Sequence, residues 1–221
     1  MSIGGTPSRG IELWYPTRER LTRQTTRWAL WMARTFPKVE QFIGPEMPYC
    51  TWGPDRARNR IVDSFLSRNA EWLWMIDADT VPPCDKRIVR DFMFARHEDV
   101  VTGVVDGYNA LRGAIPPGGW LTIVGQFPSL YRWDFDSKGK IQGWIPLDKG
   151  SDYQRAEACG SACLKIHRSV FAKLKKPYFL AIEEQYSEDL FFCAQLKEKG
   201  IQLKVDEEMV CDHWKEIELK A

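Results

Sequence analysis

The strongest chemical pattern in this sequence is a pair of carboxylates at the end of an apolar run. Asp77-Ala78-Asp79 directly follows Trp72–Ile76, a run of strand length, and precedes Pro82-Pro83. Ligands of an open α/β sheet bind beyond the carboxyl ends of its strands, so both carboxylates could face one site there. Their hard oxygens suit Mg²⁺ or Mn²⁺, and such an ion would neutralise a diphosphate. The alternative interpretation is a surface turn, where Asp is common.

A second pair of acids, Glu188-Asp189, follows Ser187 at the predicted start of a helix. A carboxylate within hydrogen-bonding reach of an acceptor hydroxyl can serve as its general base. The helix dipole also stabilises acids at this position, and that alone could explain both residues. The residue types leave the two interpretations open.

The third candidate is His213, one of three histidines in the chain. It is expected to follow the last strand, between Asp212 and Trp214, where a neutral imidazole could complete a Mn²⁺ site. Considered alone, a histidine in this position is more often not a ligand. His97, near a helix end, and His167, just after a strand, are interpreted as incidental.

The elements that must position these residues alternate along the chain, and this alternation predicts an α/β fold. The first helix is expected to have Thr17 as its N-cap. Residues 106–151 are rich in Gly, Pro and Trp and carry only short strand signals, which is typical of a functional segment. The predicted strands are 11–15, 39–43, 72–76, 100–105, 161–166 and one beginning at 201, and the predicted helices are 17–34, 55–69, 85–96, 168–175 and 187–200.

Composition bounds the possible classes of protein. The 221 residues suffice for one domain, and 44% hydrophobic with 28% charged residues excludes disorder, collagen and coiled coil as overall classes. A net charge of +1 gives no sign of a general nucleic-acid binder. The uncharged run 113–131 contains three prolines and cannot be a spanning helix. We therefore expect a soluble, cytoplasmic protein whose six cysteines, which form no CxxC pair, are reduced.

Together these pieces resemble a known family. Over residues 11–214 the chain is similar to GT-A glycosyltransferases, and its pattern is closest to the large inverting family 2. No single motif is specific, but six in the family's order over some 200 residues are fairly specific. They are Pro16 at a strand end, Arg58-Asn59 on a helix, Asp77-Ala78-Asp79, Gly160-Ser161-Ala162-Cys163 with Arg168 and Phe171, Glu188-Asp189, and His213.

The resemblance implies a single GT-A catalytic domain over residues 1–221. Its Rossmann-like central sheet would be mixed, mainly parallel and flanked by helices. The nucleotide-binding part would cover about 11–105 and the acceptor-binding part about 106–214. The implied activity is metal-dependent transfer of a sugar from a UDP- or GDP-linked donor to an acceptor hydroxyl, with Mn²⁺ or Mg²⁺ as cofactor.

Residue roles follow from the same resemblance. Asp189, next to Glu188, would be the catalytic base of an inverting transfer, and Gly160 and Ser161 would line the sugar or acceptor pocket. The metal ligands would be Asp77, Asp79 and His213. The nucleotide would be contacted by Pro16, Thr17, Arg58 and Ala78. Asp77 would also contact the ribose or a metal-bound water.

Two further expectations concern the Gly- and Pro-rich segment. Residues 107–151 are expected to include a lid that closes over the donor and excludes water. Trp120, Trp133 and Trp144 lie in this segment, where aromatic rings could stack on a sugar or a base, or could form a local core.

Three alternative functions stay open at this point. A retaining GT-A glycosyltransferase shares much of the pattern. A sugar nucleotidyltransferase also uses acidic metal ligands, but the sequence has no Gly-rich phosphate loop with Lys or Arg near its N-terminus. A non-catalytic module that binds nucleotide-sugar would tolerate loss of Asp79, Asp189 or His213, and all three are present. The acceptor could be a glycan, a protein or a nucleic-acid base.

Overall fold

The computed structural model of this chain describes residues 10–16, 21–44, 53–94, 99–110, 123–150, 152–183 and 186–214, with backbone alone for 107–110 and 123–127. Its strands are β1 (Ile11–Tyr15), β2 (Glu40–Ile43), β3 (Trp72–Ile76), β4 (Thr80–Val81), β5 (Val100–Ala110), β6 (Ile123–Pro128), β7 (Leu130–Phe135), β8 (Ile141–Pro146), β9 (Ala158–Cys159), β10 (Cys163–His167) and β11 (Leu203–His213). Its helices are α1 (Arg23–Thr35), α2 (Pro54–Leu66), α3 (Lys86–Phe94), α4 (Arg168–Lys173) and α5 (Glu188–Glu198), and Tyr153–Arg155 forms one 3₁₀ turn.

The central sheet has the strand order β2-β1-β3-β10-β5-β11-β4, and β6 pairs with the outer half of β5. Within that order β2, β1, β3, β5 and β11 run in one direction, while β10 and β4 run in the other. The prediction of a mixed, mainly parallel sheet is therefore confirmed. The parallel strands direct their carboxyl ends to one edge, where sheets of this kind bind ligands.

The sheet separates two hydrophobic cores. Leu73 and Met75 of β3 pack into the core that contains Phe65 of α2 and Phe192 of α5. The alternating residues of β3 face the opposite core, which is built on Trp28 of α1 and on α3. All five residues of β3 are buried, as its continuous apolar run predicts for a strand covered on both faces.

The chain after β3 crosses from the middle of the sheet to its edge. The Asp77 amide donates to the Ala162 carbonyl, and the Thr80 amide donates to the Asp77 carbonyl, which closes a tight turn. β4 then pairs antiparallel with the end of β11, with Thr80 opposite His213. This crossing brings the second carboxylate of the turn to the last residue of β11.

Strand β11 reaches that position through a bulge. Its register against β5 shifts between Asp206 and Val210. Gly103 of β5 lies opposite the bulge, and a Cβ there would come within 2.6 Å of the Met209 carbonyl oxygen. Glycine is thus required at this close approach of two backbones. His213 belongs to β11 rather than following the last strand, so that expectation is wrong.

Helix α1 begins later than predicted. Thr22, not Thr17, is its N-cap, and the Thr22 hydroxyl accepts from the Thr25 amide at 3.1 Å. The Thr22 amide donates to the Ala78 carbonyl at 2.9 Å, a tertiary contact that holds residue 22 outside the helix. Thr17 itself lies outside the described residues.

The segment 106–151 contains more regular structure than predicted. β5 continues to Ala110 and pairs with β6, while β7 pairs with β8 and β9 in a separate three-stranded sheet. Gly139, at φ +75°, occupies the turn between β7 and β8, where the left-handed backbone favours glycine. Residues 111–122, with Trp120, lie outside the described part of the chain, and the lid stays a prediction.

The described residues also bear on the state of the cysteines and on membrane-spanning helices. Cys84, Cys159, Cys163, Cys193 and Cys211 are all free thiols. Among these residues, each helix is too short or too polar to cross a lipid bilayer.

Candidate active site

The carboxyl edge of the central sheet brings Asp79 and His213 into direct contact. Nε2 of His213 lies 3.1 Å from Oδ2 of Asp79, and Nδ1 of the same ring lies 3.1 Å from the backbone oxygen of Asp106. The amide of Trp214 donates to the Asp79 carbonyl at 2.7 Å, which fixes the backbone beside the pair. The turn before β4 and strand β5 thus each contribute one contact to the imidazole.

The ring's environment determines where its proton must be. A backbone carbonyl only accepts hydrogen bonds, so Nδ1 must carry a hydrogen and donate it to Asp106. In the neutral ring, Nε2 then presents a lone pair to a carboxylate oxygen, and this contact is favourable only with a proton or a metal cation between the two. Hydrogen bonding of Nδ1 to a carbonyl is also how proteins orient a metal-binding histidine.

The spacing of the two atoms fits a shared divalent cation. Two ligands that bind one ion at about 2.1 Å and at right angles are about 3 Å apart. An imidazole nitrogen and a carboxylate oxygen together suit Mn²⁺. Among the described residues no cluster of three or more His, Cys, Asp or Glu could hold a metal ion, so Asp79 and His213 could supply at most two protein ligands.

Asp77 is committed to a different partner. Nη2 of Arg58 donates to Oδ1 of Asp77 at 3.0 Å and to Oδ2 at 3.3 Å. Nε of Arg58 donates to the Ser161 hydroxyl at 2.7 Å and lies 3.7 Å from Oε1 of Glu188. The Arg58 side chain, from the inner face of α2, is thus buried at the centre of a polar network of three other residues.

In this buried network the positive charge of Arg58 partly offsets the negative charges of the carboxylates around it. Burial raises the pKa of the Asp77 carboxyl, Arg58 opposes that shift, and Asp79 and Asp189 add to it. Burial likewise raises the pKa of Glu188, with Arg58 again acting in the opposite direction. Burial by itself would lower the pKa of Arg58, but Asp77, Glu188 and Asp189 outweigh it and hold that pKa above its ordinary value.

Asp189 has one engaged and one open carboxylate oxygen. Oδ1 accepts from the Ser187 hydroxyl and, at 2.8 Å, from the Leu190 amide in the first turn of α5. Within the described part of the chain Oδ2 has no hydrogen-bond partner, and it faces Gly160, where an added Cβ would lie 3.6 Å away. Capping engages Oδ1 and a general base would use Oδ2, so the two interpretations of Asp189 do not exclude each other.

Gly160 and Ser161 lie between β9 and β10, with Gly160 next to Asp189 and Ser161 next to Arg58. The Gly160 amide donates to the Ser129 carbonyl at 2.8 Å, and a Cβ at residue 160 would lie 3.1 Å from Cβ of Ser129. Ser161 is buried beneath Arg58. The absence of a side chain at residue 160 keeps open the space in front of Asp189.

The two remaining predicted nucleotide contacts lie at the same edge. Pro16 is buried directly after β1. Ala78 is half-buried in the turn, and its carbonyl is bonded to the N-cap residue of α1. Both positions adjoin the carboxyl ends of parallel strands, as the sequence pattern indicates.

Sequence reasoning did not identify three contributors to this site. They are the Asp106 carbonyl, Ser129 and Tyr131, which lie on β5, before β7 and on β7. Burial and the Asp189 charge raise the pKa of Tyr131 to about 12, and its hydroxyl is bonded to the Ser129 side chain. The alternation of Tyr131 and Trp133 was the available signal for a strand here, but prolines and glycines on both sides masked it.

Comparisons with known proteins support the fold. No family model matches the chain, and no curated protein matches it. The solved structure of A197 from STIV is 19% identical, with 94% of this chain and 86% of that chain covered and a TM-score of 0.58. A glycosyltransferase involved in glycosylation of the major capsid of PBCV-1 is 10% identical, with 94% and 96% covered and a TM-score of 0.50.

A third solved structure is more distant. It is a Drosophila β-1,4-galactosyltransferase 7 mutant complexed with manganese, UDP-Gal and xylobiose, 12% identical, with 89% of this chain and 64% of that chain covered. Its TM-score of 0.46 is too low to support an argument about this site. The first two matches and the strand order lead to one conclusion: this chain has a GT-A-like fold.

Proposed function

We propose that this chain is a metal-dependent glycosyltransferase that moves a sugar from a UDP- or GDP-linked donor to an acceptor hydroxyl with inversion of configuration. The observation that carries the proposal is the contact between Asp79 and His213 at the carboxyl edge of a GT-A-like sheet. An imidazole nitrogen and a carboxylate oxygen at this distance share either a proton or a metal cation, and we propose that in the working enzyme they share a cation. The glycosyltransferase activity of the PBCV-1 protein of similar fold agrees with this proposal.

Asp79 and His213 would hold Mn²⁺ or Mg²⁺, and the donor diphosphate and water would complete its coordination. When bound, the ion supplies positive charge to the departing nucleoside diphosphate. The Asp106 carbonyl keeps the ring of His213 in the tautomer that presents Nε2. These residues would therefore belong to the donor side of the site, as would Pro16 and Thr17.

Arg58 and Glu188 would act by positioning other groups. Arg58 holds the Asp77 carboxylate at the strand end, where it can reach the ribose or a metal-bound water. Glu188 balances the charge of Arg58 from the other side, and Ser161 fixes the guanidinium plane. We assign Glu188 as a positioning residue, while Asp189 beside it is the residue that meets the acceptor.

Asp189 would be the general base of a single displacement. The acceptor oxygen bonds to the anomeric carbon, the bond from that carbon to the diphosphate oxygen breaks, and the acceptor proton passes to Oδ2 of Asp189. Oδ1 remains bonded to the helix start, which holds the carboxylate in one orientation. On this account residues of about 11–105 supply most of the donor site, and 106–214 supply the acceptor side and His213.

The test is release of nucleoside diphosphate from a panel of UDP- and GDP-sugars in the presence of Mn²⁺. We expect release with at least one donor, its loss in EDTA, and its loss in Asp79→Asn. Asp91→Asn is the matched control, since Asp91 lies on the exposed surface of α3. Release that persists in EDTA, or equal release by Asp79→Asn, would overturn the proposal.

A further inference from the structure

Asn59 lies next to Arg58 on α2, but only Arg58 has a place in the proposed reaction. Oδ1 of Asn59 accepts from the amides of Tyr178 at 2.8 Å and Phe179 at 3.3 Å. Nδ2 of Asn59 donates to the carbonyl of Phe179 at 2.6 Å and, within its own helix, to that of Asp55 at 2.8 Å. A carboxamide has two donor hydrogens and two acceptor lone pairs, so this side chain uses all four.

A second carboxamide holds the same stretch of backbone from α5. Nε2 of Gln195 donates to the carbonyls of Pro177 at 3.1 Å and Tyr178 at 3.2 Å. Its Oε1 accepts from the Lys175 amide at 3.1 Å. Residues 175–179, which follow α4, are therefore bonded to both α2 and α5, and we name them the connecting segment.

The connecting segment packs on the helix that carries the proposed base. The rings of Phe179 and Phe192 are fully buried and stacked, with centroids 4.7 Å apart and planes inclined by 12°. Phe192 follows Asp189 by three residues, so the two lie on the same side of α5 about one turn apart. Ile182 and Tyr186 exchange two backbone hydrogen bonds, which close the loop between the connecting segment and α5.

Helix α2 thus reaches both sides of the proposed site through consecutive residues. Arg58 binds Asp77 on the donor side, and Asn59 fixes the segment that packs against α5. A general base must lie within hydrogen-bonding reach of the acceptor hydroxyl. A displacement of about 1 Å can cost about 10²-fold in rate, so the placement of α5 matters for Asp189.

We propose that Asn59 is a positioning residue for Asp189. By fixing the connecting segment against α2, it determines where the first turn of α5 lies relative to Arg58. Asn59 contacts no substrate in this account and acts through the stacked rings of Phe179 and Phe192. This inference rests on the proposed function, since it concerns the base of the same reaction.

Three variants separate positioning from stability. Asn59→Asp keeps the size of the side chain but replaces the donor Nδ2 with an acceptor that faces two carbonyls. Gln195→Ala frees the connecting segment from α5 and is the milder change, because Gln195 is only half-buried. Arg168→Met is the control, because Arg168 binds the opposite end of α2. Its guanidinium donates to the carbonyls of Phe65, Leu66, Arg68 and Ala70.

Turnover is measured well below the thermal transition of each variant. We expect Asn59→Asp to lower kcat by about tenfold or more and to leave the donor KM within about twofold of wild type. Gln195→Ala should lower kcat in the same way, and it decides the question if Asn59→Asp does not fold. Arg168→Met should lower the unfolding temperature and keep the kcat of wild type. Equal kcat in Arg168→Met and the folded variants of the connecting segment would overturn the inference, as would a loss confined to the donor KM.

A second measurement needs no turnover. The Leu190 amide donates to Oδ1 of Asp189 at 2.8 Å, so its resonance in ¹H–¹⁵N NMR reports the geometry of the first turn of α5. We expect this resonance to move in Asn59→Asp and in Gln195→Ala and to stay at its wild-type position in Arg168→Met. An unmoved Leu190 resonance in Asn59→Asp and Gln195→Ala would overturn the inference even if kcat fell.

The two proposals fail in different ways. Nucleoside diphosphate release with the same kcat in wild type and Asn59→Asp would preserve the proposed function and overturn the positioning role. A displaced Leu190 resonance without release from any sugar nucleotide would overturn the proposed function and leave only the structural coupling of Asn59 to α5.

Discussion

Asp79 and His213 are separated by 134 positions in the chain, and their side chains meet at 3.1 Å because β4 pairs with the last residues of β11. The turn after β3 carries the chain from the centre of the sheet to β4 at its edge, and the contact between Asp79 and His213 forms there. The cation-binding role that we propose for the two side chains is based on that contact and on the carbonyl at the other ring nitrogen.

Removal of either proposed ligand should weaken metal binding. We expect His213→Ala and Asp79→Ala to weaken Mn²⁺ binding in the presence of nucleoside diphosphate, measured by EPR of free Mn²⁺. Turnover by Asp79→Ala should fall on the order of 10³-fold or more. Unchanged Mn²⁺ affinity in His213→Ala would show that the imidazole is not a ligand.

The Arg58 network should be needed for stability as well as for the site. Arg58→Met leaves Asp77 and Glu188 without their buried cation, and breaking such an ion network costs about 3–5 kcal/mol of unfolding free energy. Urea denaturation measures the change. Arg56→Met on the exposed side of α2 is the control and should stay within about 0.5 kcal/mol of wild type.

A second substitution separates charge from packing at Arg58. Asp77→Asn in the Arg58→Met background removes one uncompensated carboxylate, so it should recover part of the lost stability. A double variant that is less stable than Arg58→Met alone would contradict the electrostatic explanation.

Asp189→Asn tests the base while preserving the helix start. The amide oxygen can replace Oδ1 as acceptor from the Leu190 amide, whereas the amide nitrogen replaces the open Oδ2. We expect nucleoside diphosphate binding close to that of wild type and turnover lower by about 10²–10⁴-fold. If Asp189 served only at the helix start, turnover would be near normal, because the amide oxygen still accepts from the Leu190 amide. Retention of the donor's anomeric configuration, read by NMR coupling, would independently exclude Asp189 as the base of a single displacement.

Lys165 of β10 should make stability depend on alkaline pH. Its ammonium group donates to the carbonyls of Phe92 and Met93 at the end of α3, yet burial lowers its pKa to about 8, with Asp206 and Cys163 acting in the opposite direction. The unfolded chain, with the ordinary value of 10.5, binds more protons between these two values. Stability therefore rises with pH across that window, and the cost of the buried charge is fully present below pH 8.

The effect of Lys165 is measured as a difference from Lys165→Met. Cysteines and tyrosines with raised pKa values lower the stability as pH rises. Both proteins contain them, so their contribution cancels in the difference between the two stabilities. Relative to Lys165→Met, wild type should gain on the order of 2–3 kcal/mol from pH 7.5 to 10.5. Parallel stability profiles for the two proteins would contradict a lowered pKa at Lys165.

The elements with continuous or strongly periodic patterns could be predicted from the sequence. β1 and β3 lie at the predicted residues, and Ser187 is the N-cap of α5 as expected. These are elements whose residue types determine the local structure, because an apolar run or a capping residue acts within a few positions. The contact of Asp79 with His213 and the bond from Arg58 to Ser161 depend instead on partners more than a hundred residues away.

The parts that could not be predicted depend on such distant partners. The acidic stretch 206–208 interrupts the alternation of β11, and only the missing side chain of Gly103 in β5 allows the bulge that continues the strand to His213. The start of α1 is set by a bond from Thr22 to Ala78. Likewise, Trp133 is buried on the central strand β7 and Trp144 is exposed on the edge strand β8, a distinction that depends on the order of the three-stranded sheet.

The central claim is which bond of the donor breaks, and ³¹P NMR of the reaction with sugar nucleotide, acceptor and Mn²⁺ measures it directly. A glycosyltransferase cleaves the bond between the anomeric carbon and the diphosphate, so we predict nucleoside diphosphate as the phosphorus-containing product. Formation of sugar phosphate with nucleoside triphosphate, from added pyrophosphate, would instead identify a nucleotidyltransferase and contradict the account.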